Sequence, residues 1–280
     1  MLASLLFAAL CAPAANAAPV AALGPPSLCH AFDIGDARSL PWGQGAAAAR
    51  ADYDVGNLPQ DTYDILYRSD DPLVHAETLR RAAIYLTGVI GDRKGPNAEL
   101  REELIQDLMD ELEFDADVHG AAAKAACEKS KAACDKPCPP STAPQHLLTP
   151  LAPAWGGRVC QAQSRDPALC FLDVGYLRAA LREAGAARKD DGTQSLRTAM
   201  LLKTDDLSLQ LAASLGLLDH PDAAARAEGW KNVDSVARKA ENAPGRERLE
   251  KNLLATIGPI VSAKTHDELV ARLHQRAEQG

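Results

Sequence analysis

From Asp71 onward the apolar residues fall three and four apart, and no other feature of the chain constrains its fold as much. Leu79, Ala82, Ala83, Leu86 and Ile90 keep this spacing, as do Leu100, Leu104, Ile105, Leu108, Met109 and Leu112. A helix turns once in about 3.6 residues, so each set lines one helical face and leaves the charged residues on the other. Aromatic residues are only 4% of the chain, and alanine supplies much of the apolar content. Alanine favours helix but buries little surface, which predicts a core of closely approaching helices. The expected fold class is all-α: antiparallel helical hairpins, as a bundle or loose helical solenoid, with an irregular N-terminal arm.

Punctuation divides the chain. Residues 18–70 read as the arm, because Gly24-Pro25-Pro26, Pro41-Trp42-Gly43 and Leu58-Pro59 mark turns. Residues 71–136 read as a helical region, with Asp70 or Asp71 capping a helix at Pro72 and Asn97 capping the next. An alanine-rich helix at 118–135 ends before Pro137. Residues 137–165 read as a Pro/Gly-rich linker or long loop, the best candidate boundary. Residues 166–280 form a helical domain, with helices expected at 167–186, 193–203, 205–218, 221–241, 245–257 and 264–278.

The first 17 residues read as a signal peptide. Leu2–Leu10 is an apolar run, and Ala15-Asn16-Ala17 supplies a small-residue cleavage site, although no Lys or Arg precedes the run. Cys11 follows Leu10, where lipoprotein cleavage needs a small residue. No later run is long enough to span a bilayer. An exported protein, periplasmic or extracellular, is expected. Removing the signal leaves Cys29, Cys127, Cys134, Cys138, Cys160 and Cys170, an even set suited to disulfides in an oxidising compartment. Sequence does not choose their pairing; Cys160 with Cys170 is the preferred guess, with Cys127, Cys134 and Cys138 sharing the rest with Cys29. The net charge of −8 disfavours nucleic acid and anionic membrane surfaces, leaving protein or peptide partners.

Cys29, Asp33, Ile34, Gly35, Ala37, Ser39, Leu40, Pro41 and Trp42, together with Glu77-Thr78-Leu79-Arg80-Arg81-Ala82, resemble a pattern in uncharacterised exported proteins of environmental bacteria. The likeness spans about a quarter of the chain. It implies export and no particular activity, and it carries over no catalytic residue.

Motifs with defined chemistry are scarce. No pair of histidines has metalloprotease spacing; His266 and His274 sit two helical turns apart. Redox C-x-x-C, haem C-x-x-C-H, a G-x-S-x-G elbow and a phosphate-binding glycine loop are all missing. Asp115-Ala116-Asp117-Val118-His119-Gly120 opens like a calcium loop, but Ala126 stands where a bidentate Glu belongs, so a helix end with solvated acids is preferred. Asp107, Asp110, Glu111, Glu113, Asp115 and Asp117 read as a solvent face rather than paired catalytic carboxylates. Trp42, Trp155 and Trp230 read as large anchors; Trp42 and Trp155, in turn-rich segments, read as pinning loops to the core, with partner contact as the alternative.

These observations favour a disulfide-stapled binding or scaffold module that acts through surface contacts, with no catalytic, cofactor or metal residue assigned. One alternative is an enzyme whose site lies where the arm meets the helices, using His30, Asp33, Asp36 and His75. Another is metal handling by Cys127, Cys134 and Cys138, with His119 or His146 as a fourth ligand.

Overall fold

A computed structural model describes residues 25–43, 49–88, 96–129, 165–186 and 190–279, and only the backbone of 122–129 and 277–279. Among the described residues there are α-helices and no strand, with one antiparallel bridge between Trp42 and Ala49. The helices are α1 (Pro26–Cys29), α2 (Leu58–Tyr67), α3 (Pro72–Thr87), α4 (Ala98–Lys129), α5 (Pro167–Glu183), α6 (Thr193–Leu202), α7 (Leu207–Leu218), α8 (Ala223–Ala240), α9 (Arg246–Thr256), α10 (Gly258–Val261) and α11 (His266–Gln279). The all-α expectation holds.

Local chemistry starts these helices. Asp71, Asp166, Asp206 and Asp222 each accept a backbone N–H of the first turn, and proline follows two of them. Each such cap contributes about 1 kcal/mol. Asn97 caps α4 through Leu100 N at 2.9 Å. Gly88 ends α3 in the left-handed region, φ 61°, which glycine enters without a Cβ clash.

Two boundaries differ from the sequence reading. Leu58–Tyr67 is helical rather than part of the irregular arm, because Pro59 sits in the first turn, where its missing N–H costs nothing. The helix beginning at Ala98 runs unbroken to Lys129, so the separate helix expected from residue 118 is the second half of α4. Within that half, a Cβ on Gly120 would come 2.7 Å from Cζ of Phe171, so the glycine marks a close approach to α5 rather than a break.

The core is centred on α5, which packs against α1, α3, α4, α6 and α7. Neighbour-only stacking, as in a solenoid, does not give one helix so many partners. α7 is buried on nearly every side, as its sequence LSLQLAASLGLL demands. One apolar cluster runs from Leu28 through Leu79, Leu108, Leu177 and Leu215 to Leu273. The helices before and after residues 137–165 therefore share a core; residues 137–164 of that segment lie outside the described residues.

Candidate functional site

The junction between the arm and α3 holds charged residues of the resemblance pattern, Glu77, Arg80 and Arg81. Helical spacing puts Glu77, Arg80 and Arg81 on one face of α3. Glu77 is completely buried. Its Oε2 accepts from Arg80 Nε at 2.8 Å and from the Phe32 backbone N–H at 3.0 Å; its Oε1 accepts from Arg80 Nη2 at 2.9 Å and Arg81 Nε at 2.7 Å. Burial pushes this carboxyl upward, and the two guanidiniums more than reverse the effect, holding it below its ordinary range. The arginines then reach the arm. Arg80 Nη1 donates to the Leu28 carbonyl at 2.9 Å, and Arg81 Nη1 to the Leu40 carbonyl at 2.7 Å.

Trp42 covers this charged knot. Both guanidiniums lie over its ring, 5.2 and 5.4 Å from the centroid, and Tyr85 meets it edge-on at 5.7 Å. The Tyr85 hydroxyl donates to the Pro41 carbonyl at 2.5 Å, and Ser39 Oγ lies 2.9 Å from Thr78 Oγ1. Trp42 therefore pins a loop, as expected. The arm segment Cys29–Trp42 and the helical Glu77-Thr78-Leu79-Arg80-Arg81-Ala82 are two sides of one fastening. Burial and Arg80 push the neighbouring His30 ring down to about 4, which leaves it neutral near pH 7.

The four proposed enzymatic residues do not converge. The Asp33 carboxylate accepts from Gly35 N at 3.0 Å and pairs with Lys251 Nζ at 2.7 Å, contacts that hold it below its ordinary range, while its backbone N–H donates to Asn252 Oδ1 at 2.7 Å. Asp36 is exposed in the turn after Gly35. His75 is buried against α5: Nδ1 lies 2.7 Å from Asp173 Oδ1 and Nε2 lies 2.8 Å from the Ser69 carbonyl. That carbonyl can only accept, so Nε2 carries a proton and donates it. A general base needs this nitrogen directed at substrate, and here the main chain holds it.

Behind His75 the network continues through charges. Arg165 Nη2 donates to Asp173 Oδ2 at 3.1 Å, and Arg165 also pairs with Asp115. Asp115 thus points into the fold from a continuous helix, which removes the calcium-loop resemblance and the solvated-acid reading for that residue; Asp107 and Asp110 are exposed as expected. Cys170, one turn before Asp173, is a free thiol, so it does not pair with Cys160. Burial pushes that thiol well up, opposite to the activation a nucleophile needs. Cys29 is disulfide-bonded. The side chains of Cys127, Cys134 and Cys138, and residues His146, Cys160 and Trp155, also lie outside the described residues.

A second buried acid joins α1 to α5. Ser27 donates to Glu183 Oε2 from its backbone N–H at 3.1 Å and its hydroxyl at 2.5 Å, and Tyr176 donates to the Ser27 carbonyl at 3.1 Å. Burial outweighs these bonds and pushes the Glu183 carboxyl up to about 8. Sequence reading missed Asp173, Arg165 and Glu183 because each acts through a partner far away in the chain. A cleft lined by Asp205, Asp206, Lys239 and Asn242 contains none of the residues proposed from sequence.

The outward face of α4 has a different character. Phe114 is 57% exposed and Val118 45% exposed, one helical turn apart. Asp107, Asp110, Glu111 and Asp117 flank them, and partial burial pushes the Asp117 carboxyl upward. No protein family, curated protein or solved structure matches the chain.

Proposed function

We propose that this chain is an exported, disulfide-stapled helical binding module, and that the acidic-rimmed apolar face of α4 receives a cationic amphipathic segment of a partner protein. The observation that carries this reading is the contrast between two regions. At the arm junction the side chains of Glu77, Arg80, Arg81 and His75 are engaged by neighbouring protein groups, whereas Phe114 and Val118 present apolar surface to water. Exposed apolar side chains flanked by carboxylates suit a helix whose apolar stripe is bordered by Lys and Arg. The net charge of −8 favours encounter with such a segment. Export is supported by the N-terminal apolar run and by a disulfide at Cys29.

The test uses two synthetic helical peptides with the same leucine stripe, one flanked by lysine and one by glutamate, titrated into the full chain by fluorescence anisotropy. The lysine peptide should bind in a salt-sensitive manner and lose about tenfold in affinity, roughly 1.4 kcal/mol, against Phe114→Ser/Val118→Ser. Equal binding to wild type and variant, or equal binding of both peptides, would sink the proposal.

A further inference from the structure

Three metal-ligating side chains meet where the end of α8 faces the start of α11. Glu241 is the residue just after α8, and His266 and Asp267 open α11. One ring nitrogen of His266 and one carboxylate oxygen from each acid lie within 4.8 Å of one another. Acids gather at exposed helix ends for ordinary reasons, so this grouping alone carries little. His266 adds a second observation. Its side chain is only 10% exposed, yet Nε2 is sealed from solvent and makes no hydrogen bond. Its Nδ1 lies 3.8 Å from Glu250 Oε1, beyond hydrogen-bond reach. A mostly buried imidazole whose Nε2 is sealed and without a hydrogen bond has coordinating capacity to spare, and such groups call for a partner.

We propose that Glu241, His266 and Asp267 form a binding site for a divalent transition metal, with His266 Nε2 as its nitrogen ligand. One imidazole and two carboxylates suit Zn2+ better than Mg2+ or Ca2+, which take oxygen, or Cu(I), which takes sulfur. Zn–ligand bonds of about 2.0–2.2 Å require these atoms to draw in by roughly an ångström. Glu241 and Asp267 are exposed and can rotate to do so, while the buried imidazole supplies the fixed point. With Nε2 on the metal, the Nδ1–H faces Glu250, itself held by Arg246 Nε at 2.7 Å; a carboxylate behind a ligating histidine orients the ring. The two acids balance the ion's charge, and a fourth position is left for water. A bound ion would tie α11 to α8 at one end, while Arg276, 4.0 Å over the Trp230 ring, ties the same pair farther along.

Metal-free full-length protein with its disulfides intact is titrated with Zn2+ by calorimetry, with Mg2+ as the comparison ion. The expected result is one Zn2+ per chain, with affinity falling at least about tenfold in His266→Gln and in Glu241→Gln/Asp267→Gln. A Cys127→Ser/Cys134→Ser/Cys138→Ser variant should keep that site. If His266→Gln does not fold, the Glu241→Gln/Asp267→Gln variant decides, since both of its side chains are exposed. Absence of Zn2+ binding, unchanged affinity in the two-acid variant, loss confined to the cysteine variant, or Mg2+ binding as tight as Zn2+ would each overturn the proposal.

Discussion

Glu77 and Glu183 are both carboxyls sealed from water, yet their surroundings leave them in opposite states. Two guanidiniums keep Glu77 charged, and removing either side of that set would strand a buried ion. Glu183 receives only the Ser27 donors, and burial raises it from an ordinary 4.5 to about 8. Between those pH values the folded chain holds a proton that the unfolded chain has released. Folding is therefore favoured at low pH, and this contribution fades as pH rises through about 8. Glu183→Gln fixes the neutral form and removes the slope. Urea denaturation from about pH 5 to pH 9 should show wild type losing on the order of a few kcal/mol more than the variant, while groups common to both proteins cancel. Parallel profiles would mean that Glu183 is ionised in the fold.

Helix packing turns on how closely backbones approach. Gly175 lies inside α5, where propensity alone favours alanine by about 0.5–1 kcal/mol. Packing opposes that preference. A Cβ there would come 2.7 Å from Leu196 Cγ and 2.8 Å from the Leu196 backbone nitrogen, and a Cβ on Gly216 would come 2.8 Å from Leu196 Cδ1. Leu196 of α6 thus sits in a notch cut by glycines of α5 and α7. Gly175→Ala should destabilise the protein by about 1–2 kcal/mol in a denaturant melt, because overpacking outweighs propensity; a more stable variant would show that the notch is loose. The distinction explains what was legible in the sequence. Asp71-Pro72 and Asn97 were readable because a cap acts within its own turn. Leu58–Tyr67 was misread because Pro59 suits both a turn and a first helical turn. The notch was not readable, nor were the His75–Asp173 and Ser27–Glu183 pairs or the meeting of Glu241 with His266, because each needs partners that spacing along the chain does not locate. Trp42 was read correctly as a pin, but a basic pair such as Arg80-Arg81 reads in sequence as a solvated helix face, and here Arg80 is fully buried and both guanidiniums lie over the Trp42 ring.

At the scale of the molecule, α5 decides how many folding units there are. It follows the Pro/Gly-rich segment, yet it packs against α3 and α4, which precede that segment, as well as α6 and α7, which come after it. Its polar groups divide the same way: Asp173 bonds His75, Glu183 bonds Ser27, and Arg182 Nη2 donates to the Gly216 carbonyl at 2.9 Å. A fragment ending at residue 136 would expose the apolar faces of α3 and α4 and take Asp173 away from His75 and Arg165 away from Asp115. A fragment starting at residue 166 would keep α5–α11 but bare the surface of α5 that α1, α3 and α4 cover, with Asp173 and Glu183 left open to water. Neither fragment can repay its chain entropy from half a core. Expressed separately, residues 18–136 and 166–280 should each lack a cooperative thermal transition. Mixed in equal amounts, they should regain helical circular dichroism and a single transition whose midpoint rises with concentration, as for any assembly in which folding and association are one event. A cooperative melt from either fragment alone would show that its half of the core suffices, and would put the division of this chain back at residues 137–165.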